Sequence, residues 1–158
     1  MANTQSMCTS FLGELLTGTH NFGTAPVRAT GTADAFKGAL YLTSATLNAS
    51  TTAYSTTGEV TGTGYSPGGA AVTNATPPTA ANTSATAGTA YWTPSASLVF
   101  SSVTLTTACD TVLIYNSTQS NKAVSVHTFG SQTITAGNFT LTMPSNTSST
   151  ALLRLATT

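Results

Sequence analysis

Charged residues are scarce in this sequence of 158 residues. It contains four Lys or Arg and four Asp or Glu residues, which make up 5% of the chain and give a net charge of +0, whereas soluble domains average about 25%. Nucleic-acid binding needs clustered basic side chains that neutralise phosphates, so we expect no nucleic-acid partner. A nearly uncharged surface also lacks the repulsion that keeps copies apart, so we expect an oligomer or a larger assembly.

Residues that could carry out catalysis or hold a metal ion are equally few. The acidic and imidazole side chains of the chain are Glu14, His20, Asp34, Glu59, Asp110 and His127. No segment brings two of them to the spacing that metal ligands require. Asp110, His127 and one of many serines could in principle form a triad, but the G-x-S-x-G elbow of a serine nucleophile is absent. We therefore predict no enzyme activity, no cofactor and no metal ion.

The sequence also has few cysteines and no long hydrophobic run. Cys8 and Cys109 are predicted to be free thiols in a reducing compartment, with Cys109 buried beside a strand, and a disulfide between them is the alternative. No segment approaches the roughly 20 apolar residues that span a bilayer, and the N-terminus lacks the features of a secretory signal. We expect no membrane partner and a protein made in the cytoplasm in soluble form.

Threonine and serine are what the sequence has in abundance, since they fill about a third of its positions. Threonine is β-branched and favours strands. The chain is also 40% hydrophobic and 8% aromatic, and these residues cluster in strand-like runs, which argues against disorder. Turn signals recur at about ten-residue intervals between seven or eight short strands. This pattern predicts a single all-β domain over residues 1–158, an antiparallel β-sandwich or jelly roll.

Apolar residues indicate how several of these strands lie. Residues 34–47 alternate with a period of two. Leu98 and Phe100 are out of phase with the alternation that follows Ser101 and Ser102, which predicts a β-bulge or a break between strands. Residues 112–115 are four consecutive large apolar residues, as in a strand buried on both faces. Residues 134–143 are predicted to form a hairpin that turns at 136–138.

Two segments depart from the strand pattern. Residues 9–17 are predicted to form a short helix closed by Gly18, with an extended arm over residues 1–18 as the alternative. The helix would present four apolar residues on one face, namely Phe11, Leu12, Leu15 and Leu16. Residues 74–89 have no apolar residue larger than alanine and include Pro77 and Pro78, which predicts a flexible loop.

The stretch TTGEVTGTGYSPGG, residues 56–69, contains five glycines. Gly62 and Gly64 match the first two positions of the phosphate-binding fingerprint G-x-G-x-x-G. Pro67 stands where the third glycine is needed, and the strand-like AAVT follows instead of a helix whose N-terminus would bind the phosphate. We interpret the stretch as a connection between strands that needs positive φ at several glycines, with Tyr65 packed inside.

Two long stretches of the chain resemble a family of small virion structural proteins of tailed bacteriophages. They are FKGALYLTSATLNASTTAYSTTGEVTGTGYSPGGAAVTN and TVLIYNSTQSNKAVSVHTFGSQTITAGNFTLTMP. The elements that carry the likeness are Phe36 to Tyr41, Glu59 to Gly69, Ile114 to Asn116, Phe129-Gly130 and Gly137 to Thr140. They cover roughly half of the sequence, and it is their order and spacing together that are specific.

The resemblance implies a non-enzymatic role in the virion. We expect a capsid cement or decoration protein that binds the major capsid protein and its own copies, bridging neighbouring capsid subunits. Candidate contact residues with the partner are Met7, Phe11, Leu12, Tyr65 and Trp92. For Phe11 and Trp92, packing in their own core is the alternative. A neck, tail or fibre-tip component that binds a receptor or a glycan is the alternative function.

Overall fold

The computed structural model describes residues 3–16, 18–22, 33–74, 77–82 and 88–156. Within these ranges the chain forms one short helix and eight strands arranged in two antiparallel sheets. The elements are β1 (Ser6–Met7), α1 (Thr9–Leu16), β2 (Phe36–Leu42), β3 (Ala70–Ala71), β4 (Thr79–Asn82), β5 (Gly88–Trp92), β6 (Leu98–Asn116), β7 (Lys122–Leu141) and β8 (Leu153–Ala156). The predicted all-β fold is confirmed, and the helix is present at the N-terminus. Jelly-roll connectivity is not confirmed.

The larger sheet has the strand order β1-β7-β6-β2-β3, and the smaller one has the order β4-β5-β8. The 19 residues of β6 and the 20 residues of β7 form one long hairpin. Its turn lies at 117–121, where Ser120 and Asn121 adopt positive φ. Because β6 lies between β2 and β7, its residues 112–115 are covered on both faces, and none is more than 4% exposed. The expectation of a strand buried on both faces is confirmed.

The β6–β7 hairpin bends back so that its two halves face each other. Phe129 and Phe139 both belong to β7, yet their ring centroids lie 5.4 Å apart, whereas a straight strand would separate them by roughly 33 Å. At the start of β6, Leu98 packs over Gly38 of β2: a Cβ placed on Gly38 would lie 2.6 Å from Leu98 Cδ1 and 3.3 Å from Ile114 Cδ1. The beginning of β6 therefore packs against its end, and one hairpin supplies both layers of the core.

Bulges produce this bend. The pairing register of β6 with β7 shifts between Phe100 and Val103, and Ser102 has a φ of 53°. The alternation on both sides of the shift points inward, because Leu98, Phe100, Val103 and Leu105 are at most 5% exposed. An added residue in one strand bends it and increases its twist. The predicted bulge across residues 101–102 is confirmed.

The hairpin predicted at residues 134–143 is wrong. Ile134 lies opposite Leu105 and Phe139 lies opposite Phe100, so this segment continues β7. Ala136 has a φ of 46° and forms a bulge in the strand instead of a turn. The Oδ1 atom of Asn138 accepts a hydrogen bond of 2.9 Å from the backbone N–H of Ser102, which joins the two bulged regions. Pairing with β6 along the whole segment outweighs the local turn signal.

The loop predicted over residues 74–89 is wrong for its described strand residues. Thr79–Asn82 pair with Gly88–Tyr91, so β4 and β5 form a hairpin. Residues 75–76 and 83–87 of that prediction, like Thr17 of the predicted helix, lie outside the described residues. Small side chains suffice for β4 because it needs only backbone pairing with β5, which is anchored by the buried Trp92 and by pairing with β8.

The glycine-rich stretch lies against the backbone of β6 at its bend. Thr63 forms a bridge with Thr104. A Cβ placed on Gly62 would lie 2.1 Å from the carbonyl oxygen of Thr104, and one on Gly64 would lie 2.2 Å from that of Ser102. Positive φ occurs at Gly58, Gly64, Gly68 and Gly69. The interpretation as a strand connection with positive-φ glycines is confirmed, and its glycines serve close contact between two backbones.

Replacing Gly64 should cost far more than replacing a glycine of the same conformation in open space. Gly64 and Gly130 have φ of 78° and 80°, but a Cβ on Gly130 would meet nothing within 4 Å. Gly130→Ala should therefore lower the free energy of unfolding by about 1 kcal/mol, the cost of the left-handed conformation alone. Gly64→Ala should lower it by at least about 2 kcal/mol more, because Ser102 must move. Urea denaturation of both variants measures the difference, and equal losses would contradict the close contact.

Candidate partner-binding surface

Three of the residues predicted to contact a partner line the same apolar pocket. They are Met7 of β1, Phe11 of α1 and Trp92 of β5. Most of the remaining wall is formed by Leu15, Phe22, Pro78, Ala90, Leu153 and Leu155. The pocket has a volume of about 90 Å³, well below the roughly 300 Å³ at which small-molecule sites begin. It is of a size to receive an apolar side chain from another protein.

The N-terminal segment forms one wall of this pocket and is fixed at both ends. The backbone N–H of Cys8 donates to the carbonyl oxygen of Val124, which holds the start of α1 on β7. After the helix, Gly18 has a φ of 66°, and the N–H groups of Gly18 and Thr19 bond to the carbonyls of Leu15 and Glu14. This is a Schellman motif, so the predicted closure by Gly18 is confirmed.

Aromatic rings form the floor of the pocket. Phe22 stacks on Phe36 with centroids 4.5 Å apart, and it meets the edge of Trp92 at 4.8 Å. Phe11 meets the edge of Phe22 at 5.9 Å. The indole N–H of Trp92 donates to Asn74 Oδ1 at 2.9 Å, so its polar atom is satisfied. Rings held in these contacts give the pocket a rigid base.

The five candidate contact residues differ in how much of each is accessible. Phe11 and Trp92 are each 2% exposed, so they pack in their own core, the alternative that the sequence left open. Met7 is partly buried, and Leu12 is 43% exposed on the outer side of α1. The prediction of a partner contact therefore rests mainly on Leu12 and on the pocket mouth. The sequence gave no signal for Ala90 and the 41%-exposed Leu155, which lie at that mouth.

Tyr65 lies elsewhere and belongs to a buried polar cluster around Glu59. The carboxylate of Glu59 accepts hydrogen bonds from the hydroxyl of Tyr65 at 2.7 Å, the backbone N–H of Gly68 at 2.8 Å and the hydroxyl of Tyr54 at 2.6 Å. Burial and these bonds raise the pKa of Tyr54 and of Tyr65. The hydroxyl of Tyr65 also accepts from the N–H of Leu40. Tyr65 is thus the packed side chain of the glycine-rich stretch, as predicted.

A second polar cluster ties the N-terminal segment to the turn of the long hairpin. The amide of Asn116 donates to Asp34 Oδ2 at 2.7 Å and to His20 Nδ1 at 3.0 Å. Because His20 accepts at Nδ1, its Nε2–H donates to Glu14, 2.6 Å away. Glu14 also accepts from the ammonium of Lys122. Burial opposes the ionisation of Glu14, but the bonds from Lys122 and His20 outweigh it and lower the pKa of Glu14.

All four carboxylates of the chain are used inside the fold. Asp110, the fourth, accepts hydrogen bonds from Asn3 at 2.8 Å and from the hydroxyl of Thr111 at 2.7 Å. Asp34 and Glu59 are less than 9% exposed, and the side chain of Glu14 is 14% exposed. Each carboxylate thereby holds a loop or terminal segment on the framework of β2, β6 and β7, where buried charge requires hydrogen-bond partners.

The imagined triad of serine, His127 and Asp110 does not match the hydrogen bonds that the structure gives these groups. Asp110 bonds to Asn3 and Thr111, and the serine at His127 is Ser125, whose Oγ lies 2.8 Å from Nε2. Ser125 is only 1% exposed. A nucleophile must meet its substrate, and Ser125 is covered by the sheet.

Cys8 and Cys109 are free and buried, as the sequence predicted. Burial raises the pKa of each thiol to about 11. Among the residues that the structure describes, no three His, Cys, Asp or Glu side chains are grouped so that they could hold a metal ion. In the same part of the chain, none of the helical structure has the length and apolar character needed to cross a membrane.

Comparisons with protein-family models, with curated proteins and with solved structures give no match to this chain.

The stability of the fold should fall as the pH drops from 6.5 towards 4, because of His127. Burial lowers the pKa of His127 from 6.5 to about 4, so the folded state holds the neutral imidazole while the unfolded chain takes up a proton. The stabilisation is complete above pH 6.5 and is lost as the pH falls through this window. Glu14 contributes only below its ordinary pKa of 4.5. Thermal midpoints measured between pH 6.5 and 4.5 should therefore decline in the wild type and decline less in His127→Gln, and parallel declines would exclude His127 as the cause.

Proposed function

We propose that this chain is a non-enzymatic structural protein of a bacteriophage virion, a cement or decoration protein that binds the outside of the capsid and bridges neighbouring capsid subunits. Its partners are the major capsid protein and other copies of itself. The observation that carries the proposal beyond the sequence resemblance is the apolar pocket between the N-terminal segment and the smaller sheet.

The placement of the ionisable groups supports a structural role. The four carboxylates hold the fold together, and Ser125 beside His127 is covered. General acid–base and nucleophilic catalysis need such groups in a cleft that a substrate can enter. The side chains that this protein offers to the outside are mostly hydroxyls and amides, with few charges. Such a surface serves contact with other proteins better than chemistry on a substrate.

The pocket provides a way of binding the capsid. An apolar side chain of a capsid subunit would enter between Phe11 and Trp92 and be surrounded by Leu153 and Leu155. Protein interfaces derive most of their affinity from a few side chains buried in such pockets. Leu12, exposed on the same helix, would extend the contact along α1. The binding energy would then resist separation of the subunits that the protein bridges.

A receptor- or glycan-binding module of the tail is the alternative from another class of function. Such sites present exposed Tyr and Trp rings on loops, against which ligands stack. Here the single Trp is 2% exposed, three of the five tyrosines (Tyr41, Tyr65 and Tyr115) are buried, and Tyr54 and Tyr91 are partly buried. The aromatic rings are used in packing, which favours the capsid role.

The number of copies per virion separates the capsid role from a neck or tail role. A decoration protein follows the many repeated capsid subunits, so quantitative mass spectrometry of purified virions should find tens to hundreds of copies. A neck or tail ring has about six or twelve copies, because closed rings have fixed symmetry. A count in that low range would contradict the proposal.

Filling the pocket should abolish binding to capsids without unfolding the protein. Ala90 is exposed and lies at the pocket, so Ala90→Trp should block entry of a capsid side chain and weaken binding to particles that lack the protein by about tenfold or more. Ala71→Trp is the matched control, because Ala71 is equally a strand alanine with an exposed side chain but lies on β3, at the opposite edge of the larger sheet from β1. Co-sedimentation with the particles measures binding, and equal binding by both variants would exclude the pocket.

A further inference from the structure

The outer edge of β7 is open along most of its length. β7 lies between β6 and β1, but β1 pairs only with Ser125 and Val126. Within the described residues, no strand pairs with residues 128–141 on the side away from β6. Backbone N–H and C=O groups of successive residues point alternately to the two sides of a strand, so about half of those in this segment are directed to the open side.

This edge has few of the features that prevent strands from pairing. The segment TFGSQTITAGNFTL contains no charged residue and no proline, the two residue types that most often block an edge. The bulges at Gly130 and Ala136 are its only interruptions with positive φ. Beyond them the backbone is regular, since Phe139, Thr140 and Leu141 pair in step with Phe100, Val99 and Leu98.

The opposite edge of the same ribbon is covered. The far half of the folded hairpin consists of residues 98–105 of β6 and 134–141 of β7. Along β6, the glycine-rich stretch packs its backbone against Ser102 and Thr104. Along β7 the described chain offers no such cover, and Val99, on the outer face opposite Thr140, is 46% exposed. A two-stranded ribbon is marginal by itself and gains from further strands.

We propose that residues 133–141 of β7 pair antiparallel with the same residues of a second copy of this chain, about a two-fold axis. The two ribbons then form one four-stranded layer across the dimer. Such an interface is isologous, because the same edge is used by both copies. The proposal does not depend on where the protein sits in a virion, since it concerns the isolated chain.

Self-complementarity points to a second copy as the occupant. Antiparallel pairing of this segment with itself places threonines beside threonines, which hydrogen-bond favourably across strands. No charge of either sign meets its like. Length also matters, because the other edge strands are short: β1 and β3 have two residues, and β4 and β8 have four. Among the edges that the structure describes, β7 itself matches the span of residues 133–141.

A charge placed on this edge should dissociate the dimer. In Thr140→Lys, two ammonium groups would meet near the two-fold axis, and like charges facing each other across strands are destabilising. Sedimentation equilibrium of the full chain should show a dimer for the wild type and a dissociation constant raised about tenfold or more for Thr140→Lys. Ser101→Lys is the control, since Ser101 is exposed on β6, one strand away from the edge.

Cysteine crosslinking tests the same contact without a charge. Thr133→Cys, Thr135→Cys and Thr140→Cys each add one accessible thiol to a chain whose own two are buried. The variant nearest the axis should form a disulfide-linked dimer under mild oxidation, whereas Thr107→Cys on β6 should not.

Three results would overturn the proposal. They are a wild type that stays monomeric at all concentrations, a dimer that Thr140→Lys leaves intact, and a dimer in which no edge cysteine crosslinks. A monomer whose binding to capsids is lost in Thr140→Lys would assign the edge to a strand of another protein instead of a second copy.

Discussion

The bend of the β6–β7 hairpin is the constraint on which the rest of this structure depends. A hairpin of this length would otherwise be a flat ribbon with two open faces. Bulges around Ser102 and Ala136 let it fold over, so that Leu98 meets Gly38 and Phe129 meets Phe139. The hydrophobic core is then enclosed between two halves of the same pair of strands, and the other elements are arranged around that enclosure.

Polar groups secure the elements that close this enclosure. The glycine-rich stretch buttresses the bend, and Glu59 holds the stretch closed through Tyr54, Tyr65 and Gly68. The hydroxyl of Tyr115 donates to the carbonyl of Gly68, which joins the stretch to β6. A buried carboxylate with three donors is stabilising only while every partner is present. The loop and the bend therefore depend on each other, although they are distant in the chain.

Local patterns in the sequence predicted much of the fold, and pairing between distant residues decided the rest. The phase shift at residues 101–102 correctly indicated a bulge, because alternation reports which side of a strand is buried. The A-G-N sequence at 136–138 is compatible with both a turn and a bulge, and only the partner strand selects the bulge. Residues 79–82 lack large apolar side chains, so their pairing with β5 left no periodic signal. Met7, Phe11 and Trp92 could be proposed singly, but their meeting in one pocket follows from the fold and not from any local pattern.

The inward placement of the carboxylates also affects how fast this protein can find a partner. Charged surfaces accelerate encounters by attracting partners over distance, and that acceleration falls with ionic strength. A protein whose acids are all engaged in internal hydrogen bonds has little such field, so its association should proceed near the unassisted rate of about 10⁵–10⁶ M⁻¹s⁻¹. Salt should change that rate little. Occupancy of its binding sites is then governed by how much of the protein is made and by how slowly it dissociates.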